Sequence, residues 1–475
     1  MNVEGWSSNV TRPCRALAMC ACVLLIAGCD AIADRLGTCG PPSEAESYAF
    51  DIEWIRVVQG NQTASNLAPV LANRPAGIEI LLTMVDGTLQ AHTFDIAATV
   101  DVAVNGDPVG SLDLALGCVR GERSALRGTI PGAWLRQGTE VAVTLRSGAA
   151  NVSVPTETVG VVPIVAAVPL LEVTVVPLVV GETFPDPSRS TYETWLDEAS
   201  RRFAIDRYDL EIRAPLDLGL GDECSIEIRS MALHELRFLH TEKDSERFFV
   251  GVLPCRVGGI AFRPGFVQVT SPGVEATRTF MHELGHNLSL PHAPCGNPPG
   301  VDPNYPYAGG VLGLPGFDVA TESWIPATDA DLMGYCGGEW LSDYFYARSA
   351  RYRLFEERPP VLDTLDADAP VSILVQGAVR PDGSVLVTHA VRKLELSRVR
   401  TTASSHQRAT VVVEVLGREG EVLVRRTLDL DDVSDATSRV FSGRIGVHES
   451  IGLAATNVRV AYEGQHGTRS IVDGD

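Results

Sequence analysis

A chain of 475 residues is longer than one hydrophobic core ordinarily serves, so two or three domains are expected. Apolar residues make up 45% and charged residues 21%, a globular composition that excludes a disordered chain. The formal charge of −21 argues against a nucleic-acid partner, because phosphate binding needs clustered Lys and Arg.

Arg12 and Arg15 precede an apolar run, Ala16 to Ala27, that is too short to span a bilayer as a stable helix. A positive flank, a short apolar stretch and small residues at its end read as a secretory signal over residues 1–28. The run closes in Ile26-Ala27-Gly28-Cys29, which resembles the bacterial lipobox. That resemblance implies cleavage before Cys29, a lipid on its sulfur and attachment to a membrane of the cell envelope, facing the periplasm or the outside. An ordinary signal peptide with an incidental cysteine is the alternative. Residues 29–47 then serve as anchor and tether.

Of ten cysteines, three fall in the signal and Cys29 is consumed by lipid. Six remain: Cys39, Cys118, Cys224, Cys255, Cys295 and Cys336. An even remainder in an exported chain points to disulfides, and six cysteines allow 15 pairings. Neighbourhood along the chain favours Cys39–Cys118, Cys224–Cys255 and Cys295–Cys336.

Residues 48–168 carry short β-rich runs, Phe50 to Val58, Ile78 to Met84, Phe94 to Val104 and Val141 to Leu145. Turn signals such as Asp86-Gly87 and Asn105-Gly106 separate them, so a β-sandwich is expected. Residues 169–358 change texture. Leu170 to Val180 is a continuous apolar run suited to a strand buried on both faces. Helices are expected over Ser188–Phe203, Ile226–Leu239, Glu275–Leu288 and Trp340–Phe355. Strands are expected over Tyr208–Ile212, Arg247–Val252, Gly259–Phe262 and Phe266–Thr270. That alternation predicts an α/β (α+β) domain with a mixed, mostly parallel sheet. Residues 361–475 return to β-rich runs, including Val371–Gln376 and Ala409–Leu416, and predict a second all-β, sandwich-like domain.

The stretch carrying chemistry is His282 to His292, H-E-L-G-H-N-L-S-L-P-H. Residues four apart share a helix face, so His282 and His286 can present two imidazoles to one ion. A catalytic zinc needs three protein ligands and an open position. Glu283 adjoins the first ligand and can take a proton from metal-activated water. His292 lies six residues beyond His286, past a proline that ends the helix, where the chain must turn to bring in a third ring.

This pattern resembles the metzincin zinc peptidases, whose signature is H-E-x-x-H-x-x-G-x-x-H followed by a Met-turn. The resemblance implies Zn²⁺ on His282, His286 and His292, and Glu283 as base. It also implies a methionine beneath the metal, matched by Met333 in Asp331-Leu332-Met333-Gly334-Tyr335. In the astacin-like and serralysin-like branches a tyrosine two residues past that methionine can act as a fifth ligand and oxyanion donor, a role that falls to Tyr335. A packed aromatic is the other reading of Tyr335. One departure stands out: the family's Gly, tolerant of a left-handed backbone, is Ser289 here. A Cys295–Cys336 bond would compensate by tying the third ligand to the Met-turn. The resemblance is specific over residues 275–340 and, with β-rich neighbours, extends by analogy to the mucin-degrading metalloprotease family. It implies protein or glycoprotein substrates and sets no oligomeric state.

Three other readings stand beside it. A thermolysin-like protease would take its third ligand from Glu339, with Asp343 completing an E-x-x-x-D helix. A non-catalytic surface lipoprotein would hold zinc structurally. Cys39, in Gly37-Thr38-Cys39-Gly40-Pro41, resembles faintly the cysteine switch of matrix metalloproteases, although a disulfide at the start of the first sandwich is its simpler role.

Overall fold

The computed structural model describes residues 40–62, 68–87, 92–119, 121–185, 188–218, 224, 227–242, 247–273, 275–356, 371–394, 409–433, 439–447 and 449–473. The signal, Cys29 and Cys39, and with them the Cys39–Cys118 pairing and the cysteine switch, lie outside these residues.

The first part of the chain forms β1 (Tyr48–Val58), β2 (Ala76–Asp86), β3 (Ile96–Val104), β4 (Asp107–Ala115), β5 (Arg123–Ile130), β6 (Thr139–Ser147), β7 (Val152–Ser153) and β8 (Val159–Val161). They pair as two four-stranded sheets, β7-β1-β2-β5 and β8-β6-β3-β4. The period of two is plain in β3, where Ile96, Ala98, Val100, Val102 and Val104 are buried and the residues between them are not. Ile96, Ala98, Val100 and Val102 meet Ile78, Ile80 and Leu82 of β2 in one core. Each fully buried Val or Ile there contributes about 1.5–3 kcal/mol.

The middle part contributes β9 (Leu171–Val179), α1 (Arg189–Arg202), β10 (Tyr208–Ile212), α2 (Glu227–Glu242), β11 (Phe248–Val252), β12 (Ile260–Arg263), β13 (Val267–Thr270), α3 (Ala276–Asn287), β14 (Gly316–Asp318), β15 (Ser323–Ile325) and α4 (Asp343–Arg351). β10, β9, β11 and β13 run parallel in that order, and β12 closes the series antiparallel to β13. β9 is buried from Val173 to Leu178 because it is covered on both faces, with Glu172 and Thr174 its polar residues. Val173 and Val175 pack with Trp195 of α1, Phe280 and Leu284 of α3 and Phe345 of α4. Val176 and Leu178 pack against Ile228, Leu233 and Leu236 of α2 on the other side.

The helix expected over Trp340–Phe355 is shorter. Trp340 accepts a backbone hydrogen bond from Leu332 N at 2.7 Å, which holds it extended. Ser342 then caps α4 by accepting from Phe345 N at 3.3 Å. After Arg351 the chain widens into a π-type turn over Tyr352–Glu356.

The last part forms β16 (Val371–Val379), β17 (Val385–Leu394), β18 (Thr410–Leu416), β19 (Val422–Asp429), β20 (Asp431–Val433), β21 (Arg439–Val447), β22 (Asn457–Tyr462), β23 (Gln465–Ser470) and β24 (Val472–Asp473). One sheet has the order β19-β18-β22-β23. The other, β20-β21-β16-β17-β24, is continuous with the central sheet, because β20 pairs with β12 at Phe262–Val433 and Arg263–Asp432. No local sequence pattern announces this join. The described residues form a β-rich, multi-domain fold.

The first part also grips the middle one. Arg56 and Glu79 are fully buried and paired at 2.6 Å, with Arg127 on the other carboxylate oxygen at 2.7 Å. Burial alone would raise the Glu79 carboxyl; the charge and hydrogen bonds of Arg56 and Arg127 outweigh it and hold the group below its ordinary range. Arg56 Nη2 also donates to Pro315 O at 2.5 Å. Asn61 Nδ2 donates to Leu314 O at 3.1 Å and to Leu341 O at 3.4 Å. Gly60 and Phe317 exchange both backbone hydrogen bonds, at 2.9 and 2.7 Å.

Candidate metal centre

Helix α3 carries Phe280, Met281, Leu284 and, just past its end, Leu288 into the core. The same helix buries four polar residues: His282 at 8% exposure, Glu283 at 2%, and His286 and Asn287 at 0%. A buried polar group without a partner is costly, so these side chains need one.

Each imidazole is held from behind. His282 Nδ1 lies 2.9 Å from Leu332 O, His286 Nδ1 2.7 Å from Leu290 O, and His292 Nδ1 2.5 Å from Pro299 O. A carbonyl accepts only, so each Nδ1 carries the proton and each Nε2 presents a lone pair. Those lone pairs converge: His286 Nε2 stands 3.2 Å from His282 Nε2 and 3.2 Å from His292 Nε2. The ligand atoms of all three residues lie within 4.8 Å of one another. Donors on one tetrahedral zinc at about 2.0–2.1 Å would stand about 3.3–3.4 Å apart, so the donor set fits that ion.

The turn to His292 follows a Schellman cap. Ser289 N donates to His286 O and Leu290 N to Gly285 O, both at 2.9 Å. Ser289 occupies the left-handed position with φ of 73°, where the resembled family has glycine. The cap also presents Leu290 O to the second ligand's Nδ1, so the helix end and the ring orientation are one device.

Met333 is fully buried under α3. Asp331 shapes its turn, accepting from Met333 N at 2.7 Å, from Ser342 N at 2.7 Å and from the Tyr305 hydroxyl at 3.0 Å. Burial pushes the Asp331 carboxyl up to about 6, against those hydrogen bonds. Tyr335 is 45% exposed, and its ring lies edge-on to that of His292 at 5.2 Å between centroids. Cys295 and Cys336 are bonded, as are Cys224 and Cys255. Tyr335 N donates to Cys295 O at 2.7 Å beside the first of these bridges.

Glu339 is not brought to the imidazoles. It is 68% exposed, its side chain 3.9 Å from Arg202, and it precedes the start of α4. The E-x-x-x-D face therefore does not form, since only Asp343 of the pair is helical. Among the described residues, the group able to hold a metal is His282, His286 and His292.

The sequence did not point to Asp331 as the hub of the turn or to the glycine facing Glu283. A β-carbon on Gly259 would stand 2.5 Å from Glu283 Oε1. The Gly258-Gly259 pair before a strand was the available signal.

The two disulfides suggest an oxidising, extracellular setting. No helix among the described residues is long and apolar enough to cross a membrane. Similar solved structures include a CARDB domain from Pyrococcus furiosus, at 14% identity, covering 28% of this chain and 98% of that one with a TM-score of 0.16. A chaperone–substrate complex matches at 11% identity over 42% of this chain and 40% of that one, with a TM-score of 0.23. A Bacteroides uniformis β-glucuronidase matches at 9% identity over 90% and 62%, with a TM-score of 0.17. At such scores these likenesses carry no argument. No curated protein matches the chain. Over residues 257–338, which include His282, His286, His292 and the Met333 turn, the chain matches the Peptidase M66 family, and this supports a metallopeptidase function.

Proposed function

We propose that this chain is an exported, lipid-anchored zinc metalloendopeptidase of the metzincin type, acting on extracellular proteins or glycoproteins. In this reading the catalytic domain spans residues 169–358, between sandwich-like domains over 48–168 and 361–475. The observation that carries the reading is the convergence of three Nε2 atoms beside Glu283, inside the segment matching a peptidase family.

His282, His286 and His292 would hold the metal. Bound zinc supplies Lewis acidity, lowering the pKa of its water toward about 7 and polarising the scissile carbonyl. Glu283, adjacent to the first ligand and sequestered from bulk solvent, accepts the proton from the attacking water and returns it to the leaving amine. Tyr335, half exposed beside His292, donates its hydroxyl hydrogen to the developing oxyanion. The Nδ1–carbonyl bonds keep the rings from rotating away between turnovers.

The test is zinc content and peptide hydrolysis on the purified chain and three variants. Glu283→Gln is expected to keep zinc and lose hydrolysis by at least about a hundredfold. His292→Ala is expected to lose zinc, whereas Glu339→Gln keeps both zinc and activity. Full activity in Glu283→Gln would remove Glu283 from catalysis, and zinc retained without activity in the unaltered chain would favour a structural metal. Mapping cleavage sites in a mixed extracellular proteome then defines the substrate class.

A further inference from the structure

Glu283 lies against a short loop that three separate ties hold still. The Cys224–Cys255 bond joins the loop's start to the residues before α2. Arg229, in the first turn of α2, donates from Nη1 to Gly259 O at 2.8 Å. The buried Ser271 hydroxyl accepts from Val257 N at 3.2 Å and donates to Gly258 O at 2.6 Å. Gly259 then presents no side chain where the carboxylate sits: a β-carbon there would stand 2.5 Å from Oε1, 2.6 Å from Cγ and 2.8 Å from Cδ of Glu283. Gly258 has φ of 78°, but Gly259 is not among the positive-φ residues. Its lack of a side chain is therefore needed for space and not for backbone freedom.

From this geometry we infer that Gly259 and Arg229 are positioning residues for Glu283. The loop 255–259, fixed by Arg229, Ser271 and the disulfide, is the wall that seats the carboxylate. Arg229 lies outside the segment matching the peptidase family. The inference rests on the catalytic role proposed for Glu283, because a wall matters to rate only if the group it seats does chemistry. Rates fall steeply when a reacting group moves by about 1 Å, by up to about a hundredfold.

The experiment compares the full chain with Gly259→Ala, Arg229→Ala and Arg229→Lys. Crystal structures, zinc content, and kcat and KM on one peptide are measured for each. Gly259→Ala is expected to displace the Glu283 carboxylate by about 1 Å and to lower kcat about 10- to 100-fold, with zinc content unchanged and KM within about twofold. Arg229→Ala should lower kcat several-fold, and Arg229→Lys should recover part of it by restoring a donor. A Gly259→Ala structure with the carboxylate in its original seat overturns the inference. So does a loss of activity that follows loss of zinc, which would mark general disruption. If the unaltered chain hydrolyses no peptide, the peptidase reading fails, and the carboxylate position still decides whether the wall seats it.

Discussion

The sulfur of Met333 takes up the space that a β-carbon on Gly285 would need. Sδ stands 2.4 Å and Cε 3.1 Å from that point. The helix bearing two imidazoles therefore contributes no side chain of its own at Gly285, where the Met333 side chain packs against it. Met333 is fully buried and has little room to withdraw. Gly285→Ala is expected to destabilise the fold by about 1–3 kcal/mol through overpacking. It should also weaken zinc retention, because His282 and His286 flank the displaced position. Denaturant unfolding and metal content after dialysis check both.

Ser289 pays for its left-handed backbone with strain that glycine would not carry. Ser289→Gly should be neutral or stabilising by up to about 1 kcal/mol, since relief of strain is partly offset by a freer unfolded chain. Ser289→Val should cost about 1–2 kcal/mol or more, and should disturb the Leu290 carbonyl that orients His286. Equilibrium unfolding of the three proteins ranks them.

The Cys295–Cys336 bridge closes a loop with a sequence separation of 41 that contains the approach to the Met333 turn. In the chain-entropy model such a loop contributes about 4 kcal/mol. The Cys295→Ala, Cys336→Ala double variant should unfold at lower temperature and release zinc faster to a chelator. An unchanged release rate would mean that the bridge does not steady the third ligand.

The Glu79 carboxyl, lowered by Arg56 and Arg127, gives the first sandwich an acid-sensitive hold on the middle of the chain. Below its ordinary pKa the unfolded chain binds this proton more readily than the folded one does. Its contribution is therefore fully present above the ordinary carboxylate range and is lost as pH falls through the lowered value. Glu79→Gln should flatten that part of the stability–pH curve. It should also destabilise at neutral pH by about 3–5 kcal/mol, because it strands a buried guanidinium. Thermal unfolding between pH 3 and pH 7 tests the sign.

What could be read in the sequence was whatever local spacing encodes. His282 and His286 announce a shared helix face, and Leu170 to Val180 announces a doubly covered strand. Two of the three cysteine pairings followed from neighbourhood alone. What escaped depended on distant backbone. Trp340 reads as helical because nothing local shows that Leu332 hydrogen-bonds to it. The three-residue strand Asp431–Val433 carries no pattern that announces its partner, Phe262–Arg263. Arg56 could have raised suspicion as a charge set between Ile55 and Val57, but its partners Glu79 and Pro315 are set by the fold.

Excising everything before residue 169 would leave the carbonyls of Leu314, Pro315 and Leu341 without the donors Asn61 and Arg56 supply. Phe317 would lose the backbone partner on which β14 rests. Leu341 immediately follows Trp340, whose carbonyl steadies Leu332, and Leu332 in turn orients the ring of His282. Shedding the leading β-sheets is therefore expected to loosen the ring of His282, so a piece that keeps the candidate metal centre intact is expected to begin near Tyr48.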